Sequence, residues 1–286
     1  MQQMDIDKYV EYWDCVIDEW LGKNNCVNQE FQKEYNVWLN GNCKISQDDI
    51  PEPFWGYPEK GSVIIINYNP AGGFDDNPMT TKSYATCSKK RTFINYVYRH
   101  KYSDIAKSFP LIYNNSSEEI HQSLNGYEGA VWWKKKQEWI ESWTSVKGAR
   151  PFVMELCGWH SKTWKDTKFE KVIKRPEALQ HIQDSVVSPL IDAVNRSGNV
   201  AICIGKQFGM VLSKLGFCEI TVSLKLSTGK YVMDRGWQPS DKKRYYRIFR
   251  KDNIYVINTW SLGSNRHPAK TYSDFEQELR DLLKKP

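Results

Sequence analysis

Hydrophobic positions recur first at helical spacing and later in short unbroken runs. Tyr9, Trp13, Val16, Ile17 and Trp20 fall on one face of a helix, and Phe31, Tyr35, Trp38 and Leu39 on one face of a second. The stretch 48–58 (DDIPEPFWGYP) is too proline-rich to continue a helix. Residues 61–73 (GSVIIINYNPAGG) then form an apolar run closed by a turn, the pattern of a strand buried on both faces. Runs of the same kind occupy 151–156 (PFVMEL), 199–204 (NVAICI) and 253–258 (NIYVIN), each followed by glycine, serine or polar residues. Helical patterns at 132–143, 177–195, 206–215 and 272–283 lie around and between them. Such alternation predicts βαβ units, and so an α/β fold with a central, mainly parallel sheet flanked by helices. The region 217–250 sets Thr221, Ser223, Lys225 and Ser227 against Val222, Leu224 and Leu226, which predicts a hairpin extending the sheet. The expected organisation is an N-terminal helical extension over 1–58, packed on an α/β domain over 59–286.

Ligands of open α/β sheets bind at the carboxyl ends of the strands, so the residues just after each run hold the candidate chemistry. They are Asn67-Tyr68-Asn69-Pro70-Ala71-Gly72-Gly73-Phe74, then Glu155-Leu156-Cys157-Gly158-Trp159-His160-Ser161, then Gly205-Lys206-Gln207, and last Thr259 through Arg266, His267 and Pro268. A glycine-rich turn after a buried strand can cradle a phosphate with its amides. None of these turns is a GxGxxG or a Walker loop, which disfavours a nicotinamide or a nucleoside triphosphate.

Composition narrows the setting. The 286 residues carry 40 Lys and Arg against 34 Asp and Glu, a net charge of +6, and 14% are aromatic. The seven cysteines form no CxxC pair and no Cys/His cluster at metal-ligand spacing, so neither a metal nor another cofactor is expected, and a reducing, cytoplasmic setting is. The start of the chain is polar and acidic, unlike a secretory signal, and no apolar run reaches the ~20 residues of a membrane span. No membrane association and no obligate protein partner are expected. Two stretches without any acid, 82–101 and 242–251, each hold six Lys or Arg interleaved with Tyr and Phe. Phosphate contact and base stacking call for that pairing, which makes DNA the expected partner through Lys89, Lys90, Arg91, Lys206, Lys242, Lys243, Arg244 and Arg266. The alternative is a set of solvated faces. Trp132-Trp133-Lys134-Lys135-Lys136 adds a third basic cluster.

Taken in order, the NPAGG turn, the ELCGWHS turn, the Ile-Gly-Lys turn and the Ser/Asn-rich loop closing on His-Pro resemble the uracil-DNA glycosylase superfamily. That family opens its site with a G-x-[DN]-P turn and closes it with H-P-S. The resemblance runs over about 61–286 by order of elements, on short motifs. Asn67 stands where the family has glycine, Ala269 follows His-Pro in place of serine, and the last loop is long. It implies a uracil-DNA glycosylase-like fold and hydrolysis of an N-glycosidic bond through an oxocarbenium-like sugar. Asn69 then takes the place of the residue that orients the attacking water, and His267 that of the residue stabilising the departing base. An amide cannot act as a general base, so most of the rate would come from stabilising the leaving group. The plain alternatives are a turn asparagine before proline and a surface-loop histidine.

Further roles follow from the same resemblance. Glu155 and His160 are placed to contact the Watson–Crick edge of an extruded base, near where the family usually carries Asn; for Glu155 a capping or ion-paired carboxylate is the alternative. Phe74, Tyr84 and Trp159 are candidates for stacking on the base, or else core aromatics. Uracil-specific members carry a bulky Tyr after the turn where this chain has Ala71-Gly72-Gly73, which implies room for a C5-substituted pyrimidine, such as a C5-modified cytosine of the kind some bacteriophages carry, and hence a role in defence. Trp260, Leu262 or Arg266 would fill the gap left in the stack. No lysine is placed by motif as a Schiff-base nucleophile, so strand cleavage is not expected. Excision of uracil or small lesions is one alternative function, and a non-catalytic nucleic-acid-binding module on the same fold is another.

Overall fold

A computed structural model describes residues 4–20, 30–45, 51, 53–55, 58, 63–68, 151–161, 164–198, 200–204, 208–220, 224–225, 231–232 and 246–259. Two helices open it, α1 (Ile6–Trp20) and α2 (Glu30–Leu39). Asp5 starts α1 by accepting the Lys8 N–H at 2.9 Å, and Glu19 near the end of α1 accepts the first N–H groups of α2, from Glu30 at 3.1 Å and Phe31 at 2.8 Å. Each helix start, which has no partners of its own for these donors, is thereby satisfied by a carboxylate.

The strands β1 (Phe54–Trp55), β2 (Val63–Asn67), β3 (Pro151–Glu155), β4 (Val200–Ile204), β5 (Cys218–Ile220), β8 (Tyr246–Lys251) and β9 (Ile254–Thr259) form one sheet in the order β1-β3-β2-β4-β9-β8-β5. Its centre, β3-β2-β4-β9, is parallel, while β1 joins β3, and β8 joins β9 and β5, antiparallel. This is an α/β fold with a mixed sheet. Val63 to Ile66, Phe152 to Met154, Ala201 to Cys203 and Ile254 to Ile257 are all buried, so consecutive side chains are covered on both faces, as the unbroken apolar runs require. Among the described residues the short strands β6 (Leu224–Lys225) and β7 (Tyr231–Val232) pair with each other and not with the larger sheet. The expected hairpin over 217–250 therefore divides: its two ends extend the sheet and its middle forms a separate ribbon.

Between β3 and β4 run a 3₁₀ turn (Trp164–Thr167), α3 (Phe169–Val172), α4 (Pro176–Ile182), a π turn (Gln183–Val187) and α5 (Ser188–Ser197); α6 (Phe208–Lys214) follows β4. The predicted helix over 177–195 is thus widened in its middle. Pro189 has no N–H to give to the carbonyl four residues back and its ring crowds that carbonyl, so the turn before it opens, with the Ser188 hydroxyl donating to the Gln183 carbonyl at 3.0 Å. The predicted helices over 132–143 and 272–283 lie outside the described residues.

The N-terminal extension shares the core of the sheet. Tyr9 packs on Phe54 at 5.6 Å between ring centroids and Phe54 on Phe152 at 6.2 Å, while Trp13 meets Trp159 at 6.3 Å. A Cβ at Gly158 would lie 2.7 Å from Trp13 Cη2, so the glycine is what lets the indole approach the backbone. The stretch 48–58 also supplies β1, which pairs with β3. Trp13→Ala is expected to cost about 3–5 kcal/mol and to leave one cooperative transition. Urea unfolding followed by far- and near-ultraviolet circular dichroism checks this; two separated transitions would mean an independent extension.

A buried carboxylate clamps α1, α2 and α4. Glu34 Oε2 accepts from Tyr12 Oη at 2.8 Å and pairs with His181 Nε2 at 2.7 Å, and Oε1 accepts from Trp38 Nε1 at 3.2 Å. Burial alone pushes the Glu34 carboxyl up, but the attraction of His181 and the three hydrogen bonds outweigh it and hold the group below its ordinary value. Burial likewise pulls His181 down, and the charge and hydrogen bond of Glu34, helped by Asp184 and Glu30, more than reverse that. A raised histidine stabilises fully below its ordinary 6.5 and loses the effect as pH rises through the folded value, while a lowered carboxyl stabilises above its ordinary 4.5 and loses the effect on acidification. The stability difference between wild type and His181→Gln should therefore be largest between pH 4.5 and 6.5 and shrink on either side, measured as urea midpoints across pH.

Candidate functional site

In chain order the parallel strands are β2, β3, β4 and β9, and β3 lies on one side of β2 while β4 and β9 lie on the other. The direction of winding reverses between β2 and β4, where an open α/β sheet leaves a crevice at its carboxyl edge. The register sets Asn67 beside Glu155, Ile66 beside Cys203, and Ile204 beside Thr259. Strands β2 and β4 thus end side by side at the switch, and β3 and β9 end on the same edge.

The β2–β3 ladder continues past the strands. Leu156 N–H donates to the Asn67 carbonyl at 3.0 Å and Cys157 N–H to the Tyr68 carbonyl at 2.9 Å, which anchors the starts of both loops. Tyr68 is buried, with its ring 4.6 Å from Phe208 and 5.9 Å from Phe169, and burial pushes its hydroxyl well above the usual tyrosine range. It packs between α6 and α3 directly before Asn69.

Three predicted site residues are described. Glu155 is 6% exposed, and its Oε1 accepts from Asn67 Nδ2 at 3.0 Å. Phe152 lies on the α1 side of the sheet through Phe54, so alternation along β3 directs Glu155, with Asn67 beside it, to the opposite face. His160 is buried beyond the end of β3, next to the equally buried Ser161. Trp159 is fully buried, with Phe31 at 5.4 Å, Tyr35 at 5.2 Å and Trp13 at 6.3 Å. Its ring belongs to the core that joins the extension to the sheet, which is the second of the two roles open to it.

Asn69, Ala71, Gly72, Gly73, Phe74, Tyr84, Lys89, Lys90, Arg91, Lys206, Lys242, Lys243, Arg244, Arg266 and His267 lie outside the described residues, as do Trp260 and Leu262. Of the basic stretch 242–251, the described cations are engaged within the protein. Arg247 forms a two-pronged pair with Glu219 and sits 4.9 Å over the Phe249 ring, and Arg250 Nε donates to the Asp252 carbonyl at 2.9 Å. Lys251 Nζ donates to the Leu215 carbonyl at 3.0 Å at the end of α6 and to Gln183 Oε1 at 3.2 Å. These three hold the sheet edge, and alternation of charge with aromatics did not distinguish that use from a phosphate-binding face.

Sequence reasoning passed over Asn67 as a partner of Glu155 and Asn258 altogether. Asn258 is buried on β9 beside Cys203, and its Nδ2 reaches the Cys203 carbonyl at 3.4 Å. The signal was present: the runs VIIIN and IYVIN both place an asparagine at the carboxyl end of an apolar strand, where its side chain must find polar company.

No family model, no curated protein and no solved structure matches this chain. Among the described residues no group of His, Cys, Asp and Glu could hold a metal ion, and no helix is long and apolar enough to cross a membrane. Asn67→Ala removes a donor from a buried carboxylate and is expected to lower unfolding stability by about 1–3 kcal/mol, read from urea denaturation.

Proposed function

We propose that the protein is a DNA glycosylase that hydrolyses the N-glycosidic bond of a C5-substituted pyrimidine and leaves an abasic site, in a setting of defence against modified phage DNA. The uracil-DNA glycosylase-like identity of the fold belongs to the same proposal. The observation that carries it is the order of the parallel strands. With β3-β2-β4-β9 side by side, the four turns of the resemblance all begin on one edge, and the NPAGG and Ile-Gly-Lys turns begin at the switch between β2 and β4.

In this reading the C1′–N bond breaks with its electron pair passing to the base, whose negative charge His267 stabilises. Water held by Asn69 adds to C1′ and gives up its proton to solvent. Because the charge develops on the leaving base, a donor aimed at it contributes more than a base aimed at the water. Ala71, Gly72 and Gly73 leave space beside C5 of the pyrimidine. Catalysis proceeds without metal or cofactor, and the bound polymer is DNA.

The test is to incubate the protein with duplexes containing either uracil or 5-hydroxymethylcytosine and assay alkali-labile sites. Excision of the modified base is expected, with Asn69→Ala and His267→Ala each slower by about a hundredfold to a thousandfold at unchanged melting temperature. Excision of uracil alone would point to repair of small lesions, and no release from either would contradict the proposal.

A further inference from the structure

The segment between β3 and α4 carries lysines at three-residue spacing, Lys165, Lys168, Lys171 and Lys174. The backbone repeats at the same interval. Lys168 N–H donates to the Lys165 carbonyl at 3.2 Å, Lys171 N–H to the Lys168 carbonyl at 2.7 Å, and Lys174 N–H to the Lys171 carbonyl at 3.3 Å. One lysine therefore falls in each successive turn. Thr167, Phe169, Val172 and Ile173 are buried, whereas Lys165, Lys171 and Lys174 are exposed and Lys168 is half-buried. The core takes the apolar side chains of the segment and leaves its lysines outside, together with Glu170. Among the described residues none of the four lysines forms an ion pair, unlike Lys8 with Asp5 at 3.5 Å or Lys33 with Glu30 at 3.0 Å.

These turns are fixed in place beside the carboxyl edge. The Phe169 ring lies 5.9 Å from that of Tyr68, the residue after β2, and 5.8 Å from that of Trp38 on α2. Cys43 Sγ donates to the Thr167 carbonyl and Arg175 Nη2 to the Val37 carbonyl, so the end of α2 and the residues just after it hold the segment at two points. Lys168 has φ 47° and ψ 34°, the left-handed region, where glycine or asparagine costs less than lysine. Strain of that kind persists where the surroundings enforce it, and it gathers at functional positions. We propose that Lys165, Lys168, Lys171 and Lys174 form a fixed contact surface for the phosphate backbone of DNA. The inference rests on DNA as the bound polymer in the reading above and adds the surface that holds it. Lysines on ordered backbone meet phosphates without reading sequence, and each contact releases counterions. A membrane surface would call for apolar side chains beside the charges, and Phe169, Val172 and Ile173 are turned inward.

Fluorescence anisotropy of a labelled, unmodified duplex, titrated with the full chain over a series of salt concentrations, tests the surface without reference to which base is excised. Wild-type affinity is expected to fall steeply with salt. Replacing all four lysines by glutamine should weaken binding by about tenfold or more at low salt and flatten the log–log salt slope by about two to four, each phosphate contact contributing about 0.9. Lys8→Gln combined with Lys33→Gln, which removes lysines already paired within the protein, should change neither. Lys168→Asn separates charge from fold: its melting temperature should equal or exceed that of the wild type while its salt slope falls by about one. A quadruple variant or a Lys168→Asn variant that binds like the wild type, or a paired-lysine control that weakens as much as the quadruple variant, would overturn the surface and leave DNA as the partner. No binding of DNA by the wild type would overturn both. Should the quadruple variant fail to fold, as judged by its melting, Lys168→Asn decides.

Discussion

Parallel strands cannot be joined by a hairpin, so each connection in the centre of this sheet leaves at a carboxyl end and returns at an amino end. That constraint gathers the residues after β2, β3, β4 and β9 on one edge, and hydrogen-bonded register holds the edge level, with Asn67 beside Glu155 and Ile204 beside Thr259. The ladder between β2 and β3 persists through Tyr68 and Cys157, so the two loops start from a fixed distance and direction. Everything proposed about chemistry depends on that geometry, because a water-orienting residue and a leaving-group stabiliser act only when held within a fraction of an ångström of their targets.

The helical extension supports that edge from one side. Its aromatic side chains enter the same core as Phe152 and Trp159, and Pro53 receives hydrogen bonds both from Tyr9 on α1 and from Glu155 on β3. The buried Glu34, shared among Tyr12, Trp38 and His181, adds a polar lock whose parts lie far apart in the sequence. A buried carboxylate satisfied by three donors specifies one packing of these helices over its neighbours, since any shift would strand the charge. The extension is thus part of what positions Glu155.

The centre of the sheet was legible in the sequence because unbroken apolar runs have one economical use, a strand covered on both faces. Strands β2, β3, β4 and β9 fall within a residue or two of the runs that predict them. Strand β1 was not legible, since two residues inside a proline-rich stretch carry no periodicity, and its partner β3 lies nearly a hundred residues away. The π turn depends on a single proline, which a helical spacing count passes over. Around the candidate site the strand ends were predictable, while the partners of the side chains were not. Trp159 offers the same chemistry as a stacking ring and as a core ring, and only its three aromatic neighbours place it in the core; the spacing of Arg247, Arg250 and Lys251 likewise gave no sign of their bonds to Glu219, Asp252 and Leu215.

The central claim is that the carboxyl edge of the parallel strands receives a modified base from DNA. Amide hydrogen exchange tests it most directly, on the free protein and on the protein bound to a duplex carrying a 2′-fluoro, C5-substituted cytidine that resists cleavage. The account predicts added protection in peptides spanning 67–74, 155–161, 205–207 and 259–268, with α1, α2 and α5 unchanged. Protection confined to other segments, such as the β8–β9 hairpin, or no change at saturating DNA, would contradict it.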